Sequence, residues 1–285
     1  MRRAISLFTP LLLFLGVLFV SLNSFPDRKR IASILTGQVT LIKPPNIKVI
    51  YRSLNSPEDI INVRCEAVIP VTYTNAVSLA ELQPEEKKRK FIDMVLPSVL
   101  IANYEVAQTR KNLSKILEKL DLGYKLSRAE REFVESVLGR CKSESIEDAL
   151  LKAHPVPPSL VIAQAAIESG WGTSRFFLEG NNLFGIWAFK DKSNAIEAQE
   201  NNVHLRAYSS ILDAVRDYMY NVNAGWAYEK FRKYRLKGFG SVKLLKFLEF
   251  YSIERGRYVR KLRRIIKENN LTELDYCVLD PSYLR

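Results

Sequence analysis

The stretch Leu160-Val-Ile-Ala-Gln-Ala-Ala-Ile167 constrains this chain more than any other, because Gln164 is its only polar residue. A helix apolar on nearly all sides must be enclosed by other elements, so the fold needs further layers to bury it. Pro158 and Ser159 suit a first helical turn, which predicts a helix from Pro158 to about Ser169. Glu168 stands at its end. A carboxyl group closing a buried helix is costly unless it is neutral, paired or functional. Without a nearby cation, burial raises its pKa and keeps it protonated near neutral pH, the condition that a glycosidase general acid needs. Gly170 and Gly172 allow a tight turn beside it, and Trp171 offers a flat face to the apolar side of a sugar ring. The competing arrangement is a glutamate paired to a core arginine, with Trp171 as core filling.

The rest of the chain supplies the enclosing layers. Its 285 residues are 47% hydrophobic and 26% charged, enough for a sizeable core. Residues 25–83 mix Pro44, Pro45, Pro57 and Pro70 with short β-branched runs and read as an extended connector. A helical segment follows over 84–152. Within it Pro84–Leu120 is helical in composition, with Pro97 expected to kink or split it. Ser127 and Glu130 form a capping box for a short helix that Gly139 would stop. After the prolines at 155, 157 and 158, residues 153–285 form the richer unit. Gly185–Phe189 and Val203–Tyr208 read as the strands of a small hairpin around the polar tip 190–202. Helices are expected over Ile211–Val222, Tyr228–Leu236, Val242–Phe250 and Tyr258–Ile266.

Three cysteines, far apart and without a CxxC pair, argue against a zinc site or a disulfide framework. With only two histidines, the chemistry falls to carboxylates; no metal and no cofactor is expected. Arg2 and Arg3 precede an apolar run from Ala4 to Leu22, the layout of a secretory signal or signal anchor over residues 1–24. This predicts an exported chain of the periplasm or cell envelope, with the N-terminal segment as its route to the membrane. The net charge is +12, and Gly225–Arg285 holds fifteen basic against seven acidic side chains. Such a field favours an anionic partner; export counts against nucleic acid. A monomer is expected.

The run Ala163-Gln-Ala-Ala-Ile-Glu-Ser-Gly-Trp-Gly-Thr-Ser174, followed by Gly180-Asn-Asn-Leu-Phe-Gly-Ile186, resembles the signature of the glucosaminidase family of cell-wall hydrolases, most closely its Bax-like members. The likeness continues through Leu205–Ser210, Ala214–Tyr218 and Tyr251–Tyr258, and reaches back to Phe91–Arg110. It implies an α+β, mainly α, lysozyme-like fold: a helical lobe and a small β-hairpin lobe with a groove between them. It implies hydrolysis of the β-1,4 bond on the reducing side of N-acetylglucosamine in peptidoglycan, and it sets Glu168 on the family's general acid.

The resemblance also implies a second acidic residue in the β-lobe, for which Glu197 and Glu200 are the candidates. One of them could activate water on the opposite sugar face, or the substrate acetamido group could attack instead. A late tyrosine near the groove matches Tyr258 best and Tyr228 second, as sugar-binding or acetamido-polarising groups. Asn182 and Phe184 match groove-wall positions. Two other readings stay open: a lytic transglycosylase-like enzyme, and a non-catalytic scaffold that binds glycan through Trp171 and the basic tail.

Overall fold

The computed structural model of the protein describes residues 46–188, 195–197 and 204–284. The export segment expected over 1–24 lies outside the described residues, as does Glu200. Among the described residues no helix is long and apolar enough to cross a membrane.

The elements follow the order β1 (Ile50–Arg52), β2 (Val71–Tyr73), α1 (Pro84–Asp121), α2 (Arg128–Cys141), α3 (Ile146–Lys152), α4 (Pro158–Ser169), α5 (Arg175–Gly180), β3 (Ala195–Glu197), β4 (His204–Arg206), α6 (Ile211–Ala224), α7 (Glu229–Leu236), α8 (Ser241–Leu244) and α9 (Gly256–Glu268). A 3-10 stretch, Leu245–Tyr251, takes over from α8, so most of the helix expected over Val242–Phe250 is wound more tightly. The chain is mainly helical with a small β-hairpin lobe, the α+β class the sequence predicts.

Helix α4 begins where Pro158 predicts and ends at Ser169. Its first turn is held from outside: Asp275 accepts from the Ser159 amide at 2.8 Å and the Ser159 hydroxyl at 2.9 Å. A carboxylate there satisfies amides that a helix start leaves open and meets the positive end of the dipole. Leu160, Val161, Ile162, Ala163, Ala165 and Ala166 are all buried. Their cover comes from α1, α9 and the 3-10 turn Leu271–Tyr276.

Residues 46–83 correct the expectation of an extended connector. Leu54, Ile60, Val68, Val71, Tyr73 and Leu79 belong to the main core, and β1 and β2 pair in parallel. Buried polar groups hold the segment in place. The Val63 amide donates to Asp93 at 3.0 Å, Ser98 donates to the Thr72 hydroxyl at 2.9 Å, and Asn181 donates to the Thr74 carbonyl at 3.0 Å. The C-terminal stretch also meets this segment: Val68 and Cys65 bond with the backbone around Val278, and Cys65 forms a disulfide with Cys277. That bond corrects the expectation drawn from an odd cysteine count; Cys141 is the cysteine left free.

Three smaller differences have local causes. Helix α1 runs through Pro97 without being split, packing Phe91, Met94, Val95 and Val99 on the core either side of it. Helix α2 has the predicted Ser127–Glu130 capping box, but it passes Gly139 and ends at Cys141, just before Lys142. There the left-handed backbone of Lys142 closes the end, with the Ser143 amide donating to Leu138 at 2.9 Å. Of the strand expected over Gly185–Phe189, Phe189 lies outside the described residues and 185–188 form a single bridge, Trp187 to Leu205, on one side of β4, while β3 pairs antiparallel on the other.

Candidate functional site

The turn that follows α4 exposes its last carboxyl group. Gly170, Trp171 and Gly172 all take positive φ, at 59°, 58° and 82°, so the chain folds back within three residues. For Trp171 this conformation is uncommon. The Trp171 amide donates to Ala166 at 2.9 Å, and Ser169 Oγ both donates to Ala165 and accepts from the Gly172 amide. A Cβ on Gly172 would press on Leu79 and Phe91 at 3.2 Å. The motif therefore needs glycine there for packing as well as for torsion.

Glu168 is half-buried at this turn. Among the described residues no arginine or lysine forms an ion pair with it. Lys261, the cation that acts on its charge, is held by Glu254 at 2.7 and 2.9 Å. Burial pushes the Glu168 carboxyl above the ordinary glutamate range, and the Tyr258 hydroxyl, Glu254 and Lys261 adjust it: the first and last downwards, the middle one upwards. A clasping core arginine, the arrangement that would have made Glu168 structural, is not what forms.

Behind Glu168 runs a directed chain of hydrogen bonds. The Tyr218 hydroxyl donates to Gln164 Oε1 at 2.6 Å, and Gln164 Nε2 donates to the Tyr258 hydroxyl at 3.0 Å. The Tyr258 hydroxyl in turn acts on the Glu168 carboxyl, lowering its pKa against the effect of burial. Since Gln164 donates to the Tyr258 oxygen, the phenol proton is left free to point towards Glu168. Tyr218, Gln164 and Tyr258 are all at or below 2% exposure, so no water competes for these bonds. Tyr251 stacks on Tyr258 at 5.7 Å between ring centroids and donates to the Phe184 carbonyl at 3.0 Å. Gly185, with φ 64°, lies so close that a Cβ on it would be 4.0 Å from Glu168 Oε2.

The other predicted residues divide. Tyr258 meets Glu168 but is buried, so it orients the acid from beneath. Asn182 does not line an open wall: it is buried, its Nδ2 donating to Ile186 and Arg206 and its Oδ1 accepting from Ile186 and Phe184. Phe184 is likewise core, stacked on Tyr218 at 4.2 Å. These two shape the loop that carries Gly185, which is why the motif contains them. Trp171 packs edge-on against Phe91 at 5.5 Å, which makes it at least partly core filling. Tyr228 is also buried, its hydroxyl pushed up to about 12 by burial, in the same cluster of tyrosines as Tyr218 and Tyr251. Glu197 stands exposed on β3, where its backbone carbonyl accepts from Arg175 at 2.9 Å. Sequence reasoning missed Tyr218 and Tyr251. It also passed over Trp187, half exposed and two residues beyond Gly185. Gln164 carried a signal: it alone breaks the apolar run Leu160–Ile167.

A family model described as mannosyl-glycoprotein endo-beta-N-acetylglucosaminidase matches residues 145–271. The chain is 29% identical to Protein bax of Escherichia coli K12 over 157 residues, 52% of this chain and 55% of that protein. It is 28% identical to Exo-glucosaminidase LytG of Bacillus subtilis over 163 residues, 52% of this chain and 53% of that protein. A shorter match, 35% over 79 residues, links it to Peptidoglycan hydrolase FlgJ of Escherichia coli K12, covering 22% of this chain and 25% of that one. The chain thus spans about half the length of the first two relatives.

Proposed function

From the premise that residues 145–271 carry a glucosaminidase-family domain, we propose that this protein is a peptidoglycan hydrolase of the cell envelope that cuts glycan strands with Glu168 as general acid. The bond assigned is the β-1,4 linkage on the reducing side of N-acetylglucosamine. One observation carries the reading: a half-buried carboxyl without an ion pair, raised in pKa by burial, with a phenol fixed behind it. The protonated group gives its proton to the bridging oxygen as the bond to the sugar C1 breaks, and water completes C1. Tyr258 then stabilises the carboxylate that is left, so it serves as a positioning residue.

Water can be activated by Glu197 or Glu200 in the hairpin lobe, or replaced at first by the substrate acetamido oxygen. The exposed indole of Trp187 offers a stacking face for a sugar ring. The names of LytG and FlgJ, an exo-glucosaminidase and a peptidoglycan hydrolase, support the substrate class. The disulfide between Cys65 and Cys277 supports an oxidising, extracytoplasmic setting.

The test is mass spectrometry of fragments released from purified sacculi by the full chain and by Glu168→Gln. Reducing N-acetylglucosamine ends made only by the wild type are expected. Anhydro-muramyl ends would make the protein a lytic transglycosylase, and no release by either protein would leave it a glycan-binding scaffold. Equal release by both would remove Glu168 from the mechanism.

A further inference from the structure

The buried apolar side chains fall into two separate clusters. The larger takes in the first half of α1 together with α4 and α6, and Ala102 and Met219 belong to it. The smaller is made by Leu113 of α1, Val137 of α2, Ala149 of α3 and Ala153 just beyond α3. Where the two face each other lies a cavity of about 670 Å³, lined by Ala102 and Met219 of the first and by Val137 and Ala153 of the second. Packed interiors leave few voids larger than a water molecule. This volume instead falls in the range of small-molecule sites, about 300–1,000 Å³.

Its floor and its rim differ. Ala102, Val137, Ala153 and Met219 are buried at the floor, while Ala129, Arg140 and Tyr220 are exposed at the rim. Apolar side chains facing a void lose dispersion contacts on that side, and water there would find few polar partners. Of the four charged side chains in the lining, three are engaged. Arg216 pairs with Glu105 at 2.9 Å and with Asp213 at 3.0 Å. Lys152 donates to Asp148 at 2.7 Å and to the Lys142 carbonyl at 2.6 Å. Beside the rim, Lys142 holds its ammonium over the Tyr220 ring at 5.8 Å. Arg140, in the last turn of α2, is the fourth. Among the described residues its guanidinium has neither an ion pair nor a hydrogen bond.

We propose that this cavity binds a single-chain fatty carboxylate, its hydrocarbon tail on the apolar floor between α1, α2 and α6 and its head on Arg140 at the rim. The floor provides the burial that a hydrocarbon chain gains from, and a free guanidinium edge matches the two oxygens of a carboxylate. A neutral molecule of the same length would fill the space and leave Arg140 unanswered. Neither Glu168 nor Tyr258 lines this cavity, so the assignment does not depend on the hydrolase reading, and its test uses no glycan.

The chain carries its own reporter. Cys65 and Cys277 are bonded to each other, and Cys141, which lines the cavity, is the free thiol. Alkylation of Cys141 in the full chain by N-ethylmaleimide is followed against decanoate, kept below its micelle concentration. A saturable slowing is expected. In Arg140→Gln its midpoint should rise about 10-fold, for the loss of a charge-assisted contact at an exposed rim. Decanol on the wild type should need a similarly raised concentration. Each midpoint is read within one protein, so the effect of Arg140 on the thiol's own reactivity drops out. Decanoate bound elsewhere, as on the apolar run 4–22, leaves the thiol rate unmoved. No saturable slowing, an unchanged midpoint in Arg140→Gln, an equal midpoint for decanol, or a lower one for decyl phosphate overturns the proposal.

Discussion

Glu130 and Glu168 are both glutamates drawn into the protein at a helix end, and they are held in opposite ways. Glu130 is in the first turn of α2, its side chain 6% exposed, with Lys119 Nζ at 2.8 and 3.1 Å and the Ser127 amide at 2.7 Å. Burial alone would raise its pKa, but Lys119 and the Ser127 donors outweigh that and bring it below the ordinary range. Glu168 is in the last turn of α4, with the Tyr258 hydroxyl acting on it and, among the described residues, no cation in an ion pair, and its pKa is raised. The backbone adds to the contrast, since a helix start favours a negative charge and a helix end opposes it. What separates an anchor from an acid here is the partner and the helix end, not burial.

The strongest way to break this comparison is to neutralise each group in turn. Glu168→Gln should cut sacculus hydrolysis by about 10³-fold or more while the protein stays folded. Glu130→Gln should leave kcat/KM of the folded protein unchanged and cost about 3–5 kcal/mol in urea unfolding, because Lys119 is then buried without its partner. If Glu130→Gln abolished activity at full folding, or Glu168→Gln kept it, the two carboxyls would not have the separate roles assigned to them.

How far the sequence revealed this contrast depends on how local each interaction is. The Ser127–Glu130 capping box and the limits of α4 were legible because their determinants lie within a few residues. The Lys119–Glu130 pair spans a turn and was not read. The Glu168 role was legible from an apolar helix ending in a carboxyl group and from its resemblance to a known signature. Its support was not: Gln164 meets Tyr218 and Tyr258 at separations of 54 and 94 residues. Residues 46–83 were misread for the same reason. Apart from the short buried run Val71–Tyr73, their buried side chains come singly, as at Leu54, Ile60 and Leu79, too sparse to show a 3.6 or 2.0 period. What orders them is pairing with Cys277–Asp280, some 200 residues away along the chain. Asn182 and Phe184 show a further limit. The motif located them correctly, but a residue that builds a loop and one that touches a ligand leave the same trace in a sequence.

The chain of bonds behind Glu168 allows a finer test. Tyr258→Phe removes the donor that lowers the Glu168 pKa, so that pKa should rise further. A general acid works while protonated, and the basic limb of the kcat profile should therefore move to higher pH. Stabilisation of the departing carboxylate is lost at the same time, and kcat at the optimum should fall about 10- to 10²-fold, equivalent to about 1.4–2.8 kcal/mol. Gln164→Leu should shift the limb in the same direction by less, since it frees the Tyr258 hydroxyl without removing it. A basic limb that moved down, or did not move, would show that Tyr258 is not bonded to the acid.

The smallest effect is on stability against pH, where the two glutamates should have opposite signs. Glu130 has a folded pKa below its unfolded one. Its contribution is fully present above the unfolded pKa and is lost as pH falls through the folded value. Glu168 has a folded pKa above its unfolded one, so the native state holds that proton more tightly. Below both values it makes no difference, and as pH rises between them the fold loses stability. Glu168→Gln should consequently stabilise the protein at neutral pH by about 0.5–2 kcal/mol, as removal of a strained functional group often does. The gain should vanish in acid. Urea unfolding of the wild type and both variants across this range measures the difference. A Glu168→Gln protein less stable than wild type at neutral pH would mean that the carboxylate is held by favourable partners, and the contrast with Glu130 would disappear.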